Sequence, residues 1–199
     1  MSSAGLRERK KGATKDALSQ AALDLAIHGG LDAVTAESIA EAANVSTRTF
    51  HNYFSSKEDA VLFVLEKAAL GLVDAFAERS ATEPVLDSLE AAFIKFMESS
   101  GGLERTVAVT RLMVQHPALV ARHIAFYDDT STALLSEIGK RTGTDPDVDL
   151  YPRLVYHAAV AVGRAVLELQ ISGASAQRRP ADLVRQGFTQ LRHGLPQAN

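Results

Sequence analysis

Cysteine and tryptophan are both absent from these 199 residues. Without cysteine there is no disulfide framework, no thiolate zinc site and no thiol nucleophile. A stable fold must therefore come from ordinary core burial, and 46% hydrophobic with 23% charged residues supplies the material for it. Long apolar runs are also missing. The most apolar stretch, Ala158 to Val162, falls far short of the about 20 residues that a bilayer-crossing helix needs. Met1 to Lys11 is charged and lacks the apolar segment of a signal peptide. These absences predict a cytoplasmic protein with no membrane partner. Bulk positive charge is lacking as well: 21 basic against 24 acidic residues leave a net charge of −3. A nucleic-acid partner would have to be gripped by a few well-placed cations rather than by overall charge. The strongest local excess is at the start, where Arg7, Arg9, Lys10, Lys11 and Lys15 face only Glu8.

No alternating β-branched runs bounded by turn signals occur, so strands are not indicated and the chain reads as all-α. Leu18, Ala22 and Leu25 recur at helical spacing in a first helix from Lys11 to His28, which Gly29-Gly30 stops. A second helix follows Thr35 as N-cap, and a third, Thr47 to Phe54, follows Ser46. Ser55 to Glu58 has capping-box spacing and opens a long fourth helix toward Ser80. Pro84, Leu103, Pro117, Tyr151-Pro152 and Ala181 open five more, giving about nine helices in all. The expected division is 1–56, a three-helix head with a basic arm, and 57–199, a helical bundle entered through the long fourth helix.

Residues 35–54, TAESIAEAANVSTRTFHNYF, hold the pattern that carries function. Two short helices flank a tight turn. Ala40 is small enough for close helix approach, and Asn44 tolerates a positive φ better than most residues other than glycine. Ile39, Val45 and Phe50 can anchor the second helix of the pair. Its N-terminal end then offers Ser46, Thr47, Arg48 and Thr49, the end that a recognition helix points into the major groove.

The run Thr35…Ile39-Ala40…Ala42-Ala43-Asn44-Val45-Ser46…Thr49-Phe50…Tyr53-Phe54…Ser56-Lys57-Glu58 resembles the signature of the TetR family of transcriptional regulators. It departs in two places: Asn44 replaces the usual glycine, and His51 stands where an aromatic tyrosine is usual. The resemblance implies that Thr47, Arg48 and Asn52 touch base edges, Arg48 suited to guanine and Asn52 to adenine. It implies that Thr35, Thr49, His51, Tyr53 and Lys57 hold phosphates, with Ser46 at the same surface. The segment Arg7 to Lys11 either adds phosphate or minor-groove contacts or is a solubilising tail.

Residues 80–199 are less informative. The resemblance implies a homodimer formed by the last two helices, for which Ala158, Ala161, Ala165, Leu183, Phe188 and Leu191 are candidates; the same residues would equally serve an intrachain core. A pocket for a small hydrophobic effector would draw on Phe93, Phe96, Met97, Met113, Phe126 and Tyr127, with Arg111 and His157 as polar groups. Phe and Met at helical spacing are, however, more often core. The acidic tract Asp145 to Asp149 lacks the glycine and the final glutamate of a calcium loop. No phosphate loop, nucleophile elbow or metal cluster is present, so no enzyme, cofactor or metal is expected. The reading is a dimeric repressor, released from a palindromic operator on double-stranded DNA by a small hydrophobic ligand; the alternative is a dimeric DNA-binding regulator with no small-molecule input.

Overall fold

The computed structural model describes the backbone at residues 3–99, 101–174 and 177–196, and the side chains of these apart from residues 3, 4, 6 and 125–130. Among the described residues every regular element is helical. The order is α1 (Ser3–Gly29), a 3-10 turn (Leu31–Ala33), α2 (Ala36–Ala42), α3 (Thr47–His51), α4 (Lys57–Ala77), α5 (Val85–Glu98), α6 (Gly102–Gln115), α7 (Pro117–Thr142), α8 (Leu150–Ser172) and α9 (Pro180–Arg192).

The boundaries follow local chemistry. Proline opens α7 and α9, where its missing N–H costs nothing. Gly173, at φ 73°, closes α8 in the left-handed conformation. Two expectations shift. α1 begins at Ser3 rather than Lys11, so Arg7 to Lys11 form its exposed first turns and not a free arm. The cap of α4 is Ser56 rather than Ser55: Ser56 Oγ accepts from Asp59 N at 3.1 Å, which leaves the Ser55 hydroxyl to bond the Asp59 carboxylate.

The chain divides into two compact units. The first comprises residues 1–67 and 108–125, the second residues 68–107 and 126–199. The first is therefore larger than the 1–56 expected from sequence. The reason is packing: Val109, Leu112 and Leu119 are buried in the same cluster as Leu18, Leu23, Ile39, Phe50 and Val61. Ala60, Val61 and Leu62 of α4 are buried in this core together with residues of α1 to α3.

In the second unit α8 packs against α5 and α9. Close approach is made possible by two glycines. A Cβ on Gly163 would lie 2.5 Å from Phe93 Cε1, and one on Gly187 would lie 2.6 Å from Val162 Cγ1. The Phe93 and Phe188 rings stand 5.8 Å apart. Leu183 and Phe188 are thus intrachain core, at 5% and 0% exposure, and are not available to a second copy. This is the intrachain-core role that the same residues could equally serve. Leu191 is half-buried against the same cluster. Ala158 is half-buried, and Ala161 and Ala165 are exposed.

α8 also corrects the expectation drawn from its short apolar run. By length and composition it is the one described helix that could cross a membrane. One stripe of it, Val155, Tyr156, Ala159, Val162 and Val166, is occupied by the unit's own core. Arg153, His157, Arg164 and Glu168 stand exposed on the rest, which makes it costly to bury in lipid.

A polar node ties the end of α4 to its neighbours in this unit. Arg141 donates to Ser88 Oγ at 2.6 Å and to the carbonyls of Phe76 and Arg79 at 2.9 and 3.1 Å, with its guanidinium 4.1 Å from the Phe76 ring centroid. Ser88 in turn donates to Glu83 at 2.7 Å, as does Arg79 Nε at 2.7 Å. Arg79 first, and Ser88 second, hold the Glu83 carboxyl down at about 2 against an ordinary 4.5. A folded-state pKa below the unfolded one gives stabilisation that is complete above pH 4.5 and lost as the pH falls toward 2. Urea unfolding of Glu83→Gln across that window should show a flatter acid limb than the wild-type protein. An identical limb would mean that the carboxyl makes no contribution there.

Candidate nucleic-acid interface

The head is built from caps. Thr35 Oγ1 accepts from Ser38 N at 3.1 Å while Ser38 Oγ accepts from Thr35 N at 3.0 Å, a reciprocal box that fixes the start of α2. The turn after α2 depends on Asn44 at φ 54°, as its residue type suggested. Asn44 N and Val45 N close the turn onto the Glu41 and Ala40 carbonyls at 3.0 and 2.9 Å. α3 then starts on Ser46, whose Oγ accepts from Thr49 N at 3.1 Å and shares a 2.8 Å hydrogen bond with the Thr49 hydroxyl.

α3 is only five residues long, so one buried side chain decides which way it faces. That side chain is Phe50, at 0% exposure, with Ile39 and Ala40 also in the cluster. The opposite side turns outward. Arg48 and His51 are exposed on α3 and Asn52 is exposed at its C-cap, while Thr47 and Tyr53 are half-buried. One face thus carries a cation, a carboxamide, an imidazole and a small hydroxyl. This set can donate to guanine, pair with adenine and touch phosphate. The His51 ring lies edge-on to Phe50, centroids 5.2 Å apart.

Other expected contacts are turned inward. Lys57 Nζ lies 2.8 Å from Leu31 O, 3.3 Å from Asp32 O and 3.0 Å from Val34 O. An ammonium has three protons, and three carbonyls take them. Lys57 therefore braces the turn before α2 and is not a free cation awaiting a phosphate. The hydroxyls of Ser46, Thr49 and Thr35 are likewise engaged in capping. We expect Lys57→Met to lower DNA affinity and thermal stability together while the salt slope of binding stays unchanged; a slope reduced by about one would restore a phosphate contact.

Two features of the head escaped sequence reading. Lys15 Nζ sits 3.9 Å from the Phe63 ring centroid, covering an aromatic edge of the core. Arg122, from α7, bonds Asp59 and Ser55. Neither contact has a signal in spacing, because each joins residues of distant sequence position. The Thr35–Ser38 box did have one, in the N-cap-to-N3 spacing.

The residues expected to line an effector pocket fall in both units, and each is placed within its own. Phe93 is buried in the core of the second unit, and Met97 packs on it; Phe96 is half-buried. Met113 packs on the core of the first unit. Arg111 is exposed, and His157 is exposed with its ring edge-on to Tyr156 at 5.0 Å. The side chains of Phe126 and Tyr127 lie outside the described residues.

Residues 18–62 match the model of the family described as bacterial regulatory proteins, tetR family, and residues 83–196 match that of the MftR C-terminal domain. The chain is 34% identical over 169 residues to the HTH-type transcriptional regulator TcmR of Streptomyces glaucescens, covering 81% of this chain and 75% of that protein. A putative TetR-family regulator from Syntrophomonas wolfei superposes with a TM-score of 0.66 at 19% identity, over 95% of this chain and 100% of that one. The Thermus thermophilus TetR-family repressor FadR, solved in complex with lauroyl-CoA, gives 0.54 at 19% identity, over 93% and 96%. At these identities the solved structures speak for the fold.

Proposed function

This chain belongs to the TetR family of bacterial transcriptional regulators, which are DNA-binding and non-enzymatic, and from that premise we propose that it is a cytoplasmic homodimeric repressor that a small hydrophobic ligand releases from a palindromic operator. The observation that carries the DNA reading is the outward face of α3: Arg48, His51 and Asn52 exposed around a helix that Phe50 holds from behind. A single helix of this length touches few bases. Two copies related by a two-fold axis, with half-sites about one DNA turn (~34 Å) apart, would double the recognised sequence. The exposed Ala161 and Ala165 on α8 are small enough to admit a second copy closely.

A ligand acts as an inducer only if it binds the DNA-free conformation better than the DNA-bound one. Lauroyl-CoA, bound by the Thermus repressor, is the first probe to try. The second reading is a dimeric regulator with no small-molecule input.

The test is a random-sequence duplex selection with the purified protein, followed by fluorescence anisotropy at several salt concentrations. The selected site should be palindromic and bind about a thousandfold or more tighter than its scrambled version, with log affinity falling linearly with log salt. Equal affinity for both duplexes would end the operator reading. A ligand that binds yet leaves operator affinity unchanged would leave the second reading standing.

A further inference from the structure

α3 has too few residues to keep its own angle, since short helices hold their shape through tertiary contacts. Its entry is fixed by Ser46 and its inner side by Phe50. Its exit is the junction of residues 52–56, and this junction is held from another part of the chain. Arg122, near the start of α7 and 63 residues from Asp59, presents a two-pronged guanidinium to that carboxylate, Nε to Oδ1 and Nη2 to Oδ2, the latter at 2.8 Å. The same Nη2 lies 3.3 Å from Ser55 Oγ, and Ser55 donates its own proton to Asp59 Oδ2. Ser56 Oγ caps the Asp59 N–H at 3.1 Å. Both serines of the junction therefore meet Asp59, Ser55 at its carboxylate and Ser56 at its backbone N–H, and the Asp59 side chain is only 11% exposed. A fork-to-carboxylate pair fixes direction as well as distance, which a point charge would not.

We propose that Arg122 is a positioning residue for DNA reading: by bracing Ser55 and Asp59 it fixes the exit of α3, and so sets the angle at which Thr47, Arg48 and Asn52 meet base edges. The inference rests on the DNA-binding reading above. It places a determinant of recognition in α7, outside the helix-turn-helix. The hydrogen bond from Arg122 also holds the Asp59 carboxyl below its ordinary range, against the opposing effect of burial, as expected of a carboxylate that needs its partner.

The experiment compares the full-length wild-type protein with Arg122→Ala, Asp59→Asn and the double variant, on the selected operator and on scrambled DNA, at a temperature where circular dichroism shows all of them folded. Base contacts tolerate little misplacement, so Arg122→Ala should lose about tenfold on the operator while scrambled-DNA affinity and the salt slope match wild type. The double variant should be no weaker than Arg122→Ala, because both changes break one linkage. Three outcomes would overturn the proposal. An unchanged ratio of operator to scrambled affinity, with a lower melting temperature alone, would make the pair merely structural. A parallel loss on both duplexes with a slope reduced by about one would make Arg122 a phosphate contact. A wild-type protein that prefers no duplex would remove the DNA reading itself, and this inference with it. If Arg122→Ala does not fold, Arg122→Lys keeps the charge without the fork; it should give an intermediate ratio, and a wild-type ratio would count against the proposal.

Discussion

Replacing Arg48 by alanine is expected to cost roughly thirtyfold or more in operator affinity, because a two-pronged arginine–guanine contact is worth about 1–3 kcal/mol and a symmetric dimer loses it twice. The fold should hardly notice. Arg48 is exposed, and surface changes of this kind stay within about 0.5 kcal/mol. Two further readouts separate base reading from charge. On scrambled DNA the loss should be small, limited to one cation per protomer. In a repeated selection with Arg48→Ala, one base position in each half-site should lose its preference while the others keep theirs. Equal losses on operator and scrambled DNA, with the selected sequence unchanged, would reassign Arg48 to the phosphate backbone. Asn52→Ala should behave in parallel at a different base position. Because Asn52 is the C-cap of α3, its variant also needs a melting curve to separate recognition from capping.

Much of this head was legible because its determinants are local. Thr35, Asn44 and Ser46 act on backbone groups within a few residues of themselves, so residue type and spacing announce them. The same holds for the long helices, which proline and glycine punctuate at Pro117, Pro180 and Gly173. The bracing role of Lys57 was not legible, for a physical reason. Its acceptors are the carbonyls of Leu31, Asp32 and Val34, and a backbone carbonyl has no sequence signature. Arg122 and Arg141 were invisible for a related reason: their partners lie 53 to 67 residues away, and only the path of the chain brings them near. The start of α1 was missed because its basic first turns carry no apolar stripe. A helix can continue past its buried face on the intrinsic propensity of arginine, lysine and glutamate.

The last two helices show how an apolar pattern leaves its partner unspecified, and a pair of variants separates the two possibilities. Phe188→Ala should destabilise the protein by about 3–5 kcal/mol, the usual cost of emptying an aromatic core site. For a chain of this size that lowers the melting temperature by roughly 10 °C or more. The loss should be present at every protein concentration, since Phe188 is fully buried against Phe93 within one chain. Ala161→Glu should do the reverse. Ala161 is exposed on α8, so a single chain tolerates the carboxylate, whereas a second copy lying against α8 would have to bury a charge twice across the symmetry axis. Sedimentation should then show monomer at concentrations where the wild-type protein is dimeric, with operator affinity falling as the paired half-sites are lost and helix content intact. If Ala161→Glu associates as the wild-type protein does, the dimer is built elsewhere, and the exposed face of α8 must be released from that role. If instead Phe188→Ala dissociates the protein without lowering its stability at high concentration, the chain's own core does not depend on α9 as its packing indicates.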